Sequence, residues 1–78
     1  MKLLPEAVII EDEPESLNLL VKLIGDSGLL KVAGMTTDPS AAEDLICSMK
    51  PDLVFLDIRM PGKDGFQIID DLRRRNEK

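Results

Sequence analysis

The amino-acid sequence predicts an α/β fold built on a parallel sheet. Three short apolar runs alternate with three longer stretches whose apolar residues recur at helical spacing. Strands separated by helices run parallel and are joined by right-handed crossovers. The 78 residues suffice for one domain with a small core, and its side chains are aliphatic because the chain holds two Phe and no Tyr or Trp.

Three segments have the composition of strands. Ala7–Ile10 is a continuous apolar run, typical of a strand that is covered on both faces. Residues 31–35 form a weaker second strand. Leu53–Leu56 is the third and most apolar run, and the same covering is expected for it.

The first two helices have clear start and stop signals. Pro14 suits the first turn of a helix, which Gly25 or Gly28 then ends. The second helix is expected to begin at Asp38-Pro39, with the aspartate as N-cap, and to end at Lys50-Pro51. The apolar positions at i, i+3, i+4, i+7 are Leu17, Leu20, Val21 and Ile24 in the first helix, and Ala42, Leu45, Ile46 and Met49 in the second.

The third helix is predicted to start near Asp64-Gly65 and to run to the end of the chain. Asp64 is expected to cap it, and Phe66, Ile69 and Leu72 are expected to be its buried residues.

Charge and composition exclude several classes of protein. The net charge of -5, with 15 acidic and 10 basic residues, argues against a nucleic-acid surface. The only basic run, Arg73–Arg75, is expected to complement a helix dipole or to stay solvated. A single Cys47, interpreted as a small core residue, fits a reducing compartment. We find no signal peptide or membrane-spanning stretch, so a cytoplasmic protein is predicted.

Acidic residues follow two of the predicted strands. Glu11-Asp12-Glu13 ends the first, and Asp57 ends the third. If these strands are neighbours, the carboxylates converge at one edge, and like charges at that distance require a cation or a raised pKa. Hard oxygen ligands suit Mg²⁺, and an aspartate beside Mg²⁺ is a plausible nucleophile towards a phosphoryl group. Alternatively, acids simply end strands, and Glu13 is assigned to the dipole of the first helix.

Two stretches resemble the receiver domain of two-component response regulators. They are VIIEDEP at Val8–Pro14 and DLVFLDIRMPGKDGF at Asp52–Phe66. The resemblance implies a flavodoxin-like, doubly wound parallel sheet with strand order 2-1-3. It also implies that residues 1–78 are the N-terminal part of a single receiver domain, with the first three of its five βα units.

The resemblance assigns roles to individual residues. Asp57 matches the phosphoacceptor, and Asp12 matches a direct Mg²⁺ ligand. Glu11 matches the acidic residue next to that ligand, a position where aspartate is commoner in the family. Arg59 stands where the family donates a backbone carbonyl to the metal.

The family's last two units would carry a Ser or Thr and a Lys that contact the phosphoryl group. Thr36 and Thr37 follow the second strand, on the wrong side of the first, and Lys63 stands at a turn position where it is expected to be solvated. Without those units the third strand is an edge with unpaired backbone groups. We therefore expect a homo-oligomer, or a complementing fragment, across this edge.

The leading hypothesis is a phosphoacceptor module that receives phosphate at Asp57 from a sensor histidine kinase. It is regulatory, and at most it phosphorylates itself from small phosphodonors. The alternative is a truncated or engineered half-domain that serves as a self-associating structural fragment without phosphotransfer. An aspartate-nucleophile phosphatase is a weaker third hypothesis, because Arg59 stands at the third position of the expected D-x-D.

Overall fold

The computed structural model describes residues 3–57 and 62–76. Strands and helices alternate along the chain as the sequence predicts. The elements are β1 (Glu6–Ile10), α1 (Pro14–Ser27), β2 (Lys31–Thr36), a 3₁₀ helix (Pro39–Ala41), α2 (Ala42–Met49), β3 (Leu53–Leu56) and α3 (Gly65–Asn76).

The three strands form one parallel sheet in the order β2-β1-β3, which confirms the predicted order. Ala7 of β1 lies between Val32 of β2 and Leu53 of β3. The pairing of β1 with β2 shifts after Ala7, because Val8 pairs with Gly34 and Ala33 is left as an extra residue in β2. Among the described residues, β2 and β3 are therefore the two edges of the sheet.

The core has two halves, one on each face of β1. Side chains alternate along a strand, so Ile9 faces one side and Val8 and Ile10 face the other. Ile9 packs with Leu17 and Ile24 of α1. The buried residues of the opposite cluster are Val8, Ile10, Ala42 from α2 and Ile68 from α3. The sheet thus lies between α1 and the pair α2–α3. No described helix is long and apolar enough to cross a membrane.

The ends of α1 and α3 follow the predicted capping chemistry, but the start of the second helix differs. Asp38 accepts a hydrogen bond from the Ser40 N–H and caps the 3₁₀ helix, and α2 begins at Ala42 without a side-chain cap. Gly28, at φ 69°, ends α1 in the left-handed conformation, whereas Gly25 lies within the helix. Asp64 caps α3 in a reciprocal arrangement: the Gln67 N–H donates to the Asp64 carboxylate, and the Asp64 N–H donates to the Gln67 side-chain oxygen, both at 2.9 Å. The prediction that Asp64 caps the helix is confirmed.

The buried face of α3 differs from the prediction. Ile68 is fully buried, whereas Phe66 is 65% exposed and Ile69 44% exposed. Gly65, Ile68 and Leu72 form the face that turns inward, since Ile68 and Leu72 pack against the cluster shared with α2. The prediction was wrong for Phe66 and Ile69, because the spacing allows two overlapping stripes that share Leu72.

Strand β3 is also less covered than its composition predicts. Leu53 is 40% exposed and Val54 37% exposed, although the same positions of β1 are fully buried. β3 pairs only with β1 in the described residues, so one of its two sides faces no strand.

Candidate metal site at the carboxyl edge of the sheet

Backbone hydrogen bonds place two acidic residues side by side at the sheet edge. The Glu11 N–H donates to the Thr36 carbonyl at 3.2 Å, and the Asp57 N–H donates to the Ile10 carbonyl at 3.2 Å. Each acid is the first residue after its strand, and its main chain is still held by the neighbouring strand. Because β1 and β3 are parallel neighbours, both side chains emerge at the same edge.

Three carboxylates converge there. Oxygen atoms of Glu11, Asp12 and Asp57 all lie within 4.8 Å of one another, and the three residues are half-buried. Glu13 is exposed and occupies the N-cap position of α1, which agrees with its assignment to the helix. The structure therefore brings together the three acidic side chains that the sequence singled out.

The closeness of these groups changes the acid–base behaviour of Glu11. Burial raises its pKa, and the neighbouring carboxyl groups of Asp57 and Asp12 raise it further. The Glu13 N–H, which donates to a Glu11 carboxylate oxygen at 3.3 Å, opposes this rise. A cation would remove the cost of holding the three groups charged. Three carboxylates on a surface open to water are the hard donor set that fits a hydrated Mg²⁺.

A cavity of about 290 Å³ adjoins the cluster. Glu11 and Asp57 stand beside apolar lining residues from both faces of the strands. The lining residues are Ile10, Glu11, Leu20, Phe55, Leu56 and Asp57.

One predicted metal ligand, the backbone carbonyl of Arg59, lies outside the described residues. Gly62, the next described residue, has φ 83°, a conformation that glycine adopts without strain. The role of Arg59 stays a prediction.

Lys63, which was expected to be solvated, is partly exposed and also forms an ion pair. Its ammonium nitrogen lies 2.5 Å from an Asp71 carboxylate oxygen on α3, and the two side chains are 32% and 25% exposed. This hydrogen bond to Asp71 raises the pKa of Lys63 above its usual range. The pair was missed because Lys63 precedes α3 and lies eight positions before Asp71, beyond the i,i+3 and i,i+4 neighbours by which ion pairs are predicted from sequence.

Arg73–Arg75 are exposed and lie in the last turn of α3, where their charges complement the helix dipole as predicted, and two of them also form ion pairs. Arg75 of α3 contacts Glu43 at 2.9 Å and Asp44 at 3.0 Å, both on α2. Arg74 pairs with Asp70 on its own helix at 2.5 Å. Arg75 thus joins α2 to α3 on the outer surface.

A parallel sheet covered by helices on both faces, with carboxylates at the ends of adjacent strands, defines a class of proteins: flavodoxin-like domains with an acidic cluster at the carboxyl edge of the sheet. Comparison with known proteins narrows the class to one family. The family model of the response regulator receiver domain matches residues 7–78, and the chain belongs to this family.

Curated relatives and solved structures agree with this assignment. The chain is 42% identical over 62 residues to the positive alginate biosynthesis regulatory protein of Pseudomonas aeruginosa, covering 78% of this chain and 25% of that protein. It is 35% identical over 69 residues to a protein-glutamate methylesterase/protein-glutamine glutaminase of Vibrio vulnificus, covering 88% of this chain and 20% of that protein. The chain thus spans a quarter or less of these relatives.

Among solved structures, the signal receiver domain of the response regulator NarL from Mycobacterium tuberculosis superposes with a TM-score of 0.85 at 35% identity. The match covers 92% of this chain and 58% of the chain of that receiver domain. A LuxR-family DNA-binding response regulator from Staphylococcus aureus gives 0.83 at 30% identity, covering 92% of this chain and 60% of that one.

Proposed function

We propose that this chain is the phosphoacceptor part of a response regulator, and that Asp57 receives a phosphoryl group from a sensor histidine kinase in a Mg²⁺-dependent reaction. The observation that supports this most strongly is the position of Asp57, whose carboxylate lies with those of Glu11 and Asp12 at the carboxyl edge. A receiver is regulatory, so we propose no enzymatic activity beyond self-phosphorylation from small phosphodonors. We also propose that the protein is cytoplasmic and that its partner is the sensor histidine kinase.

The chemistry needs a nucleophilic carboxylate and a means of screening its charge. An Asp57 oxygen attacks the phosphorus atom of a phosphohistidine, a P–O bond forms as the P–N bond breaks, and the electron pair stays on the imidazole nitrogen. Glu11, Asp12, Asp57 and the Arg59 carbonyl would hold Mg²⁺, which supplies screening of the phosphoryl oxygens. Backbone pairing with Ile10 holds Asp57 in place for the attack.

The test is intact-protein mass spectrometry after incubation with acetyl phosphate and Mg²⁺. We expect one added phosphoryl group on the wild type, none on Asp57→Asn, and none when EDTA replaces Mg²⁺. Asp26→Asn, on the exposed side of α1, is the matched control and should label normally. Equal labelling of Asp57→Asn and wild type would place the acceptor elsewhere.

The outer edge of β3, which pairs with no second strand in the part of the chain that the structure describes, supports a second proposal, about partners. Half-exposed Leu53 and Val54 lie at this edge, and Phe66 and Ile69 of α3 are exposed as well. Such a strand favours pairing with another chain. We propose that it is covered by a second copy, giving a homo-oligomer, or by a complementing fragment that supplies further βα units. Light scattering that finds only monomer at micromolar concentration, together with a cooperative melt, would contradict this.

The exposed edge also favours one specific alternative, a self-associating structural fragment without phosphotransfer. Mg²⁺ distinguishes the two functions, because a ligand that binds only the native state raises the melting temperature. A phosphoacceptor should melt at a higher temperature with millimolar Mg²⁺, and this shift should be absent in Asp12→Asn. A melting temperature that does not change when Mg²⁺ is added would favour the structural fragment.

A further inference from the structure

One flank of α3 lies on the side of the molecule where the sheet ends at β3. α2 packs on β1 and β2, and Arg75 of α3 turns towards α2, where it forms its ion pairs. Phe66 stands nine residues before Arg75, which places it on the opposite side of the helix. The flank that points away from α2, here called the outer flank, therefore lies on the β3 side. It consists of Phe66, Ile69, Asp70 and Arg73, all exposed.

The outer edge of β3 offers hydrogen-bonding groups to a second strand. The Asp52 N–H donates to the Glu6 carbonyl at 2.8 Å, towards β1. Successive N–H groups of a strand point to opposite sides, so those of Leu53 and Phe55 point away from β1. No strand among the described residues accepts them. Such an edge favours pairing with another chain.

A second copy of the chain fits this edge in one register. Two copies related by a two-fold axis place their β3 strands antiparallel. With the axis at Val54, Leu53 of each copy lies opposite the partner's Phe55, and both pairs exchange hydrogen bonds through their outward groups. An axis at Leu53 would place Pro51, which has no N–H, opposite Phe55. An axis at Phe55 would need the Asp57 N–H, which already donates to β1.

The same axis brings α3 of both copies together. Val54 pairs with Val8, whose side chain packs with Ile68 of α3, so Val54 lies on the α3 face of the sheet. Because the axis is perpendicular to the sheet, both copies present this face on the same side. The outer flanks of the two α3 helices then meet in antiparallel orientation above the paired strands.

The outer flank is complementary to itself. Phe66 and Arg73 lie equally far from the midpoint between Ile69 and Asp70. In an antiparallel pair centred there, each Arg73 meets the partner's Phe66 and lies one turn from the partner's Asp70. Guanidinium groups bind both aromatic faces and carboxylates, and Arg73 forms no ion pair with another described residue. A symmetric interface requires such a pattern, which favours a second copy over a fragment of different sequence.

We propose that two copies of this chain form a symmetric dimer, in which the β3 strands pair antiparallel about Val54 and the outer flanks pack through Arg73 and Phe66. The inference rests on one part of the proposed function, that another chain covers the β3 edge, and it names that chain and its register. β3 has only four residues, so the helix flank is needed to approach the area of about 1,200 Å² that stable interfaces bury. The acidic clusters of the two copies lie at opposite ends of the joined strands, and phosphorylation at Asp57 does not depend on the dimer.

The first experiment is oxidative cross-linking of Val54→Cys in a Cys47→Ser background. Residues that face each other at the axis have Cα atoms about 4.5 Å apart, within the range of a disulfide. We expect a covalent dimer of doubled mass without reductant. Leu19→Cys, at a 58% exposed position of α1, is the control and should stay monomeric. Equal cross-linking of both variants, or cross-linking of Phe55→Cys in place of Val54→Cys, would overturn the arrangement.

The second experiment measures the dimer dissociation constant by light scattering over a range of concentrations. Arg73→Gln should raise it by about five- to thirty-fold, as expected for the loss of two exposed cation–π contacts. Arg75→Gln, on the opposite side of α3, should change it by less than about two-fold. Equal weakening by both variants would show that overall charge, and not packing on Phe66, holds the dimer.

The state of the wild type separates this inference from the proposal beneath it. A wild type that dimerises without cross-linking at Val54 contradicts this arrangement alone. A wild type that is monomeric at every concentration overturns the dimer. If that monomer also lacks a cooperative melt, a complementing fragment is the occupant of the edge. Labelling of Asp57 by acetyl phosphate tests the phosphoacceptor role independently of all three results.

Discussion

The two edges of the sheet differ in how they meet solvent. β2 begins with the charged Lys31, contains an extra residue at Ala33, and presents Gly34 to a close contact with Leu45 of α2. β3 is four apolar residues without a bulge, and its first two side chains are more than one-third exposed. Charges and bulges are devices that keep an edge from pairing with other chains. By these criteria the sequence of β2 is typical of an edge strand, and the sequence of β3 is typical of a strand in the middle of a sheet.

The same contrast appears within α3. Ile68 is fully buried against the sheet, whereas Ile69, one residue later, is 44% exposed. The helix therefore has one apolar face that is covered in this chain and one that is not. Mutations on the covered face should therefore change the stability of the fold, and mutations on the exposed face should change the binding of a partner.

The largest effect is expected from Ile68→Ala. Removing a fully buried isoleucine side chain costs about 2–5 kcal/mol, a large share of the stability of a domain of this size. Urea unfolding should show the loss at any protein concentration. Ile69→Ala should cost less than about 1 kcal/mol in dilute protein. A cost that grows with protein concentration would show that a partner covers this face.

The next effect concerns association across the two edges. Val54→Lys places an ammonium group at the β3 edge, while the lysine stem still covers apolar surface. Any concentration dependence of the molar mass and of the melting temperature should disappear in this variant. Met35→Lys, at a 50% exposed position of β2, should leave both unchanged. If Met35→Lys prevents association and Val54→Lys does not, the roles of the two edges are reversed.

A smaller effect is expected at Gly34 of β2. A Cβ atom there would lie 3.2 Å from a Leu45 methyl carbon and 3.5 Å from Met49 Cγ. Since both contacts are to flexible side-chain ends, Gly34→Ala should cost about 1 kcal/mol, at the low end for overpacking. Gly25→Ala in α1 is the matched control. Its Cβ meets nothing within 4 Å, and the helix should gain about 0.5–1 kcal/mol. Equal costs in denaturant unfolding would show that close packing at β2 is unimportant.

The acidic site was predictable because it depends on short-range features. Glu11 and Asp57 each follow an apolar run directly, Asp12 is the next residue after Glu11, and parallel neighbours bring such positions together. The order of the strands, by contrast, came from the family resemblance, since alternation of strands and helices alone leaves it open.

The features that were missed depend on tertiary contacts. Helical spacing permits a stripe through Phe66 and Ile69 as well as one through Ile68, and only packing on β1 selects the second. Lys63 and Asp71 meet because a turn and a helix cap place them together, which no periodic pattern records. Leu53 is exposed in a strand that pairs only with β1 among the described residues, whereas the composition of β3 predicts full coverage.

The smallest effect is expected from Asp38, which follows the end of β2. Its carboxylate accepts hydrogen bonds from the Ser40 hydroxyl at 2.7 Å and from the Ser40 N–H at 2.9 Å. Both bonds hold the pKa of Asp38 below its usual value of 3.8. The charged form is therefore favoured in the folded state. Its contribution to stability is present above the pKa of the unfolded chain and is lost as the pH falls through the lowered pKa of the folded one.

Asp38→Asn should remove this pH dependence while leaving an oxygen that can still accept both bonds. Urea midpoints of the two proteins between about pH 5 and pH 2 measure it, because other acidic groups contribute equally to both and cancel in the difference. The wild type should have the higher midpoint at pH 5, and the two midpoints should converge on acidification. A difference that stays constant over this range would show that the hydrogen bonds from Ser40 do not favour the charged carboxylate, and that the 3₁₀ helix is not capped by an ionised side chain.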